Sequence, residues 1–329
     1  MSRGNLRLPA LVFLAGVFTL ALTFATIEAP SLVSRVLSAY FPDLGLEFDL
    51  IEELIRNVRP IGYACLVLVA ALIVAGCVTE RRALSSLGSV ALFLPTFGYF
   101  AFSMFFLAGI GILRVLWIPF WDSSPSYMKL GDIAYLPYAA LAYPFRLAGI
   151  DVRTPLALLT IGLGLLAFFL GTITWFYGKL ERREVIDFWI YKYSRHPQYL
   201  GYILWSYGVM LLATFSPFPR GGYNPGPSFP WLISTLIIVC VALKEEIDMI
   251  KRDERYLKYQ VSAPFMLPLP KFVSSGVTAP VRILCGKNLP EKGKEVMYVF
   301  AVYCVILIAL SLPFLLLDWP SEYGWAAWP

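Results

Sequence analysis

Residues 155–201 read PLALLTIGLGLLAFFLGTITWFYGKLERREVIDFWIYKYSRHPQYLG. From Pro155 to Tyr177 the run is apolar and uncharged, as long as the roughly 20 residues a helix needs to cross a bilayer. Lys179–Arg195 is dense in charge. His196, the single histidine of the chain, and Pro197 then open a second apolar run to about Phe215. Two long apolar runs joined by a charged turn read as membrane helices, because a spanning segment must satisfy every backbone group internally.

Composition extends this reading to the whole chain. Of 329 residues, 58% are hydrophobic and 15% are charged, whereas soluble domains have about 45–50% apolar and about 25% charged residues. The expected class is an all-α, polytopic transmembrane helical bundle. The net charge of +5 does not point to nucleic acid, because the basic residues lie in loops between apolar runs, where they set topology. Cys65, Cys77, Cys240, Cys285 and Cys304 form no CxxC pair. With a single histidine, neither a disulfide framework nor a metal site is expected.

About seven spans are expected. The first, Leu8–Ile27, follows Arg3 and Arg7 and is read as a retained helix, since no small-residue cleavage site follows it. Residues 28–60 are slightly acidic and are expected to break into short amphipathic pieces at Pro42 and Gly45. The second and third spans are Ile61–Val78 and Leu87–Leu113. Residues 114–153 carry Trp117, Trp121, Tyr127, Tyr135, Tyr138 and Tyr143, a mix that suits the membrane interface. The fourth span is Pro155–Tyr177 and the fifth is Pro197–Phe215. Residues 216–230 are a Pro/Gly-rich loop. The sixth run, Trp231–Leu243, is too short to cross alone and is expected to continue as a helix past Glu246. The seventh span is Val296–Leu317, before a short Trp-rich tail. A cytoplasmic N-terminus places Arg3, Arg7, Arg81, Arg82, the basic residues of 179–195 and those of 244–295 inside, which is most of the 27 Lys and Arg residues. The division expected is 1–150 for the N-terminal helices and interfacial segments, 151–272 for a core, and 273–329 for a linker and an extra helix.

Two polar clusters then share one face of the membrane. In Arg195-His196-Pro197, the proline suits a first helical turn, and that turn's free N–H groups attract an anion. His196 and Tyr199 are three apart and share a helix face. Gly201 and Gly208, like Gly164 and Gly171, are seven apart, a spacing that lets another backbone approach. On spacing alone these glycines, with Gly162 beside them, read as helix packing. Glu245 and Glu246 follow an apolar run directly, and acids at that depth are paired or functional. Tyr256 and Tyr259 continue the same helix.

Taken together, Arg195-His196-Pro197-x-Tyr199-x-Gly201, Glu245-Glu246, Tyr256-x-x-Tyr259 and the Pro-rich stretch 264–270 resemble the isoprenylcysteine carboxyl methyltransferase and phospholipid methyltransferase families. The resemblance covers about Ile186–Pro270 and departs from the family at Arg252-Asp253, where Phe-Gly is frequent. It implies a membrane enzyme that uses S-adenosylmethionine, with the active site on the cytoplasmic face. It implies cofactor contacts from His196, Tyr199, Gly201 and Glu245 or Glu246, and from Gly162 and Gly164, which match the glycines of the phospholipid enzymes. Catalytic candidates are Arg195, for an acceptor carboxylate or phosphate, and Glu246. The acceptor would be a lipid or prenylated molecule entering from the bilayer: an isoprenylcysteine carboxylate, a phospholipid amine or another lipid. Membrane lipids are further partners, and the basic residues of 251–258 are candidates for anionic head groups.

Two other classes stay open. Sterol-type reductases that use NADPH share a distant version of the hairpin, but they favour Asn and an acidic residue where this chain has Gln198 and Tyr202. A transporter or non-catalytic membrane protein is the other. Spans one, two, four and seven carry no ionisable acid or base and show no inverted repeat, features that coupling usually needs.

Overall fold

The computed structural model describes residues 7–37, 48–79, 84, 119, 125–215 and 228–316. Among the described residues the chain is all-helical, with no strand. In chain order the helices are α1 (Arg7–Leu37), α2 (Phe48–Val78), a 3₁₀ stretch (Pro125–Tyr135), α3 (Leu136–Leu147), α4 (Arg153–Leu180), a 3₁₀ turn (Trp189–Lys192), α5 (Pro197–Phe215), α6 (Ser228–Arg252), α7 (Arg255–Ser262), α8 (Lys271–Cys285) and α9 (Gly293–Leu316). The expected third span, Trp117 and Trp121, residues 216–227 of the Pro/Gly-rich loop and the Trp-rich tail lie outside the described residues.

Among the described residues, four helices are long and apolar enough to cross a membrane, through Leu8–Thr26, Arg59–Gly76, Arg153–Leu180 and Gly293–Leu316. These correspond to the expected first, second, fourth and seventh spans. The fifth and sixth runs do form helices, but not uniformly apolar ones. α5 carries Gln198, Tyr199, Tyr202, Ser206 and Tyr207, and α6 carries Lys244, Glu245, Glu246 and Asp248 in its last third. These are the two helices that bear the polar motifs. α6 continues through Glu246, as expected, but it ends at Arg252, so Tyr256 and Tyr259 lie on the separate helix α7 and not on the same helix. In residues 28–60 the flanks belong to long helices rather than short pieces, since α1 runs on to Leu37 and α2 begins at Phe48 and passes through Pro60, while the expected break at Pro42 and Gly45 lies outside the described residues. A proline removes one intrahelical hydrogen bond, and the long apolar run after it sustains the helix regardless.

The described chain forms two compact units. One takes its residues from Met1–Phe24, Leu158–Tyr207 and Ile237–Val302, and the other from Ala25–Ala157, Gly208–Leu236 and Tyr303–Pro329. In the first, α4 and α5 pack antiparallel with backbone against backbone. A Cβ on Gly164 would lie 2.3 Å from Trp205 N, and one on Gly201 would lie 2.4 Å from Phe168 N. Both positions therefore admit only glycine at this helix separation. α1 covers the other side of α4: Phe18 stacks on Phe168 at 6.1 Å and meets Phe176 edge-on at 6.0 Å.

The charged turn after α4 begins with a helix stop that needs no glycine. Arg182 N–H donates to the Lys179 carbonyl at 3.1 Å and Arg183 N–H to that of Gly178 at 2.9 Å. This is the double closure of a Schellman cap, with Arg182 itself in the left-handed region at φ 54°. In the second unit the same cap ends α3, with Gly149 at φ 71° in the left-handed position. There, Ile150 N–H donates to Phe145 O and Gly149 N–H to Arg146 O, both at 2.9 Å. Also in this unit, Gly131 of the 3₁₀ stretch lets the start of α6 pass close by, since a Cβ there would lie 2.1 Å from Phe229 N. Ser228 Oγ donates to Asp132 Oδ1 at 2.7 Å across that approach.

Candidate functional site

The first unit gathers the polar motifs at one carboxylate. α5 starts at Pro197, whose absent N–H costs nothing in a first turn, and the His196 carbonyl accepts the first helical bond from Leu200 N–H at 3.0 Å. This start holds Arg195 and His196 at the helix mouth, opposite the last turns of α6.

Glu246 accepts there from four side chains. Arg195 Nε donates to Oε1 at 2.6 Å and Nη2 to Oε2 at 3.1 Å, a bidentate pairing. His196 Nε2 lies 3.1 Å from Oε1. A carboxylate can only accept, so Nε2 carries the proton. Tyr256 Oη reaches Oε1 at 3.3 Å and Gln260 Nε2 reaches Oε2 at 3.0 Å. Glu246 is 2% exposed, His196 5% and Arg195 6%. Burial disfavours the charged carboxylate, but the hydrogen bonds from His196 and Arg195 and their charge outweigh it, and the Glu246 pKa is lowered to about 2.

Arg195 also fastens the segment that closes over this cluster. Its Nη1 donates to the Gln260 carbonyl at 2.7 Å and to the Ala263 carbonyl, and its backbone N–H donates to Pro264 O at 2.9 Å. Phe265 then meets the His196 ring edge-to-face at 5.1 Å. Tyr256 and Tyr259 bury beside Ile186 and Tyr191, and Tyr259 Oη donates to Tyr191 O at 2.7 Å. Burial pushes the Tyr191, Tyr256 and Tyr259 hydroxyls well above their ordinary pKa, so they act as neutral donors. A further polar chain ties in α4: Tyr191 Oη to Gln198 Oε1 at 3.5 Å, then Gln198 Nε2 to Thr172 Oγ1 at 3.1 Å.

Glu245, the adjacent acid, is placed differently. It is half-buried, and Tyr199 Oη donates to its Oε1 at 2.8 Å. Tyr199 is itself half-buried and lies 5.6 Å from the His196 ring. Here a carboxylate and a phenol lie side by side at an accessible edge of the cluster. They can take a cation, an ammonium or a hydroxyl.

The structure thus brings together Arg195, His196, Tyr199, Glu245 and Glu246. It does not bring the three glycines to them. Gly164 and Gly201 face one another's helices, where backbone fills the space, and Gly162 is exposed with open space beside it. The Arg195 guanidinium, expected to meet an acceptor anion, directs its donors to Glu246 and two backbone carbonyls instead. Sequence reasoning missed Gln260, although it follows Tyr256 by four residues and therefore shares its helix face. Tyr191, Gln198 and Phe265 carried no comparable signal. Among the described residues, no group of three His, Cys, Asp or Glu side chains is placed to hold a metal ion. No protein-family model matches the chain, and neither a curated protein nor a solved structure does so.

Proposed function

We propose that the chain is an integral membrane methyltransferase that takes S-adenosylmethionine as methyl donor and a lipid-like molecule as acceptor. The observation that carries this reading is the convergence of Arg195, His196, Tyr256 and Gln260 on Glu246, with the accessible Tyr199–Glu245 pair beside it. Of the residues that carry the family resemblance, Arg195 and His196 at the mouth of α5, Tyr199 on it, Glu245 and Glu246 on α6 and Tyr256 on α7 come together, while Gly201 faces α4. When bound, the cofactor supplies an electrophilic methyl group on a positively charged sulfur.

The residues present fit such a group. Glu245 takes a single hydrogen bond among the described residues, and its remaining lone pairs suit an ammonium, a ribose hydroxyl or the attraction of a sulfonium. Tyr199 orients that carboxylate. Glu246 and Arg195 are positioning residues: saturated by one another and their neighbours, they fix the His196 ring and the 260–265 segment. An acceptor carboxylate is already ionised and needs no base. An acceptor amine must release a proton, and the Glu245 carboxylate is the group able to receive it, because both Glu246 oxygens are occupied. The enzyme's further contribution is to hold the acceptor in line and exclude water.

In the proposed topology the chain has about seven spans, its N-terminus is cytoplasmic and the site faces the cytoplasm, where most basic residues fall. The core is 151–272, flanked by 1–150 and 273–329. The acceptor class is an isoprenylcysteine carboxylate or a phospholipid amine.

Calorimetric titration of the detergent-purified chain with S-adenosylmethionine, S-adenosylhomocysteine and NADPH tests the reading. The expected result is saturable binding of the two adenosyl-sulfur compounds, weakened about tenfold, or about 1.4 kcal/mol, in Glu245→Gln, with the unfolding temperature unchanged. Binding of NADPH alone would move the assignment to a reductase. Binding of none of the three by a folded sample would remove the enzyme reading.

A further inference from the structure

The expected linker opens as a helix: α8 covers Lys271–Cys285, outside the Glu246 cluster. Its sequence, KFVSSGVTAPVRILC, divides into two sides. Residues three, four and seven apart share a helix face. Two neighbouring stripes are apolar, one through Phe272, Gly276 and Ile283 and the next through Val277 and Leu284. Opposite them runs a polar stripe of Ser275, Thr278 and Arg282.

The apolar side is not turned into the protein. Phe272 is 78% exposed and Ile283 82%, and a Cβ on Gly276 between them would meet nothing within 4 Å. Leu284 is exposed as well, and Val281 alone among the described side chains of α8 is buried. The polar side closes on its own helix. Thr278 Oγ1 donates to the Ser274 carbonyl at 2.9 Å, and Arg282 Nη2 lies 3.4 Å from both the Ser275 carbonyl and its hydroxyl. An apolar helix side held outward suits the boundary between head groups and acyl chains.

The neighbouring span supplies that boundary. Gly286, at φ 68°, ends α8, and its N–H donates to the Arg282 carbonyl at 2.9 Å. After residues 286–292, α9 begins, one of the helices long and apolar enough to cross a membrane. The Glu295 carboxylate, in the first turn of α9, accepts from Glu291 N–H at 2.7 Å and Lys292 N–H at 3.3 Å, which fixes the connection. With α9 as a span, α8 is held beside its point of entry. α8 cannot cross by itself: its 15 residues rise about 22 Å, short of a hydrocarbon core about 30 Å thick.

We propose that α8 lies in the plane of the membrane interface, with Phe272, Ile283 and Leu284 in the acyl region and the side of Ser275 and Arg282 toward the head groups. The partner of this surface is the lipid bilayer. Residues 266–270 join α8 to the segment that Arg195 fastens, a reach of at most about 20 Å, so the cover of the Glu246 cluster is tied to the bilayer surface. None of this requires methyl transfer.

Nitroxide accessibility in the full chain, reconstituted in dioleoylphosphatidylcholine vesicles, tests this. The native cysteines are replaced by alanine, and one label is placed through Phe272→Cys, Ile283→Cys or Ser275→Cys. At positions 272 and 283, collision with lipid-soluble oxygen should exceed collision with a water-soluble nickel chelate, and at 275 the order should reverse. Chelate dominance at all three positions would put the helix in water and overturn the proposal. Oxygen dominance at all three would sink α8 into the hydrocarbon and overturn its in-plane setting. Poor access of both reagents to 272 and 283 would mean that a second copy of the chain or another protein segment covers the face, and the bilayer assignment would fail. The wild-type chain needs no substitution: a diazirine partitioned into the same vesicles should label the 272–284 peptide, and a peptide free of label overturns the proposal.

Discussion

At Glu246, four side chains aim their donors at two oxygen atoms. A few turns away in the same unit, between Gly164 and Trp205, backbone lies on backbone with no room for a methyl group. The first arrangement is electrostatic and directional. Because it is buried, removing one partner leaves an uncompensated charge. The second is steric, depends on the absence of a side chain, and tolerates no addition. Together they show two ways of fixing α5: its mouth is held by charge against α6, and its body by contact against α4.

The largest effect should come from breaking the charged end. Glu246→Ala leaves Arg195 and His196 buried without their acceptor and should destabilise the chain by about 3–5 kcal/mol, measured by unfolding in detergent. The same residue gives the cluster a pH signature. The folded Glu246 carboxyl has its pKa lowered to about 2 from the ordinary 4.5. Its contribution is therefore complete above about pH 4.5 and is lost as the pH falls toward 2, on the order of 3 kcal/mol in all. Wild-type unfolding temperature should drop through that window, and Glu246→Gln should flatten the drop.

Gly164→Ala is the steric counterpart. Its Cβ would meet Trp205 N at 2.3 Å, so α4 and α5 must part, at a cost of about 2–3 kcal/mol, with no pH dependence between 2 and 4.5. The smallest effect sharpens the contrast. Gly162→Ala, two residues away on the same helix, adds its methyl group to open space and should stabilise by about 0.5–1 kcal/mol through the better helix propensity of alanine. If the two glycine variants behave alike in the same unfolding assay, the steric account of the seam is wrong.

These contrasts also explain what the sequence could reveal. Long uncharged runs announced α1, α2, α4 and α9, because length and apolarity are sufficient to identify a span. The polar cluster was legible because Arg195-His196, Glu245-Glu246 and the tyrosine pair are types that cost free energy at membrane depth unless they meet. The role of each acid was not legible. Glu245 and Glu246 are adjacent and chemically identical, and only their directions on α6 decide which is enclosed and which is accessible. The glycines illustrate the same limit. Gly162 and Gly164 form a single GxG on paper, but a rotation of two residues along a helix points them to different sides. The carbonyls of Gln260, Ala263 and Pro264 escaped attention because backbone acceptors leave no mark in composition.

One consequence follows from the clamp that Arg195 places on the carbonyls of Gln260, Ala263 and Pro264. A chain is synthesised from its N-terminus, so Arg195, His196 and Glu246 all exist before residues 256–264 do. During that interval the carboxylate has two of its four partners, and the guanidinium lacks every carbonyl it later holds. α7 and the residues after it supply the other two partners of the carboxylate and every carbonyl that Arg195 holds. A chain truncated between α6 and α7 would carry Arg195, His196 and Glu246 without their enclosure, so completion of the cluster depends on the residues up to Pro264.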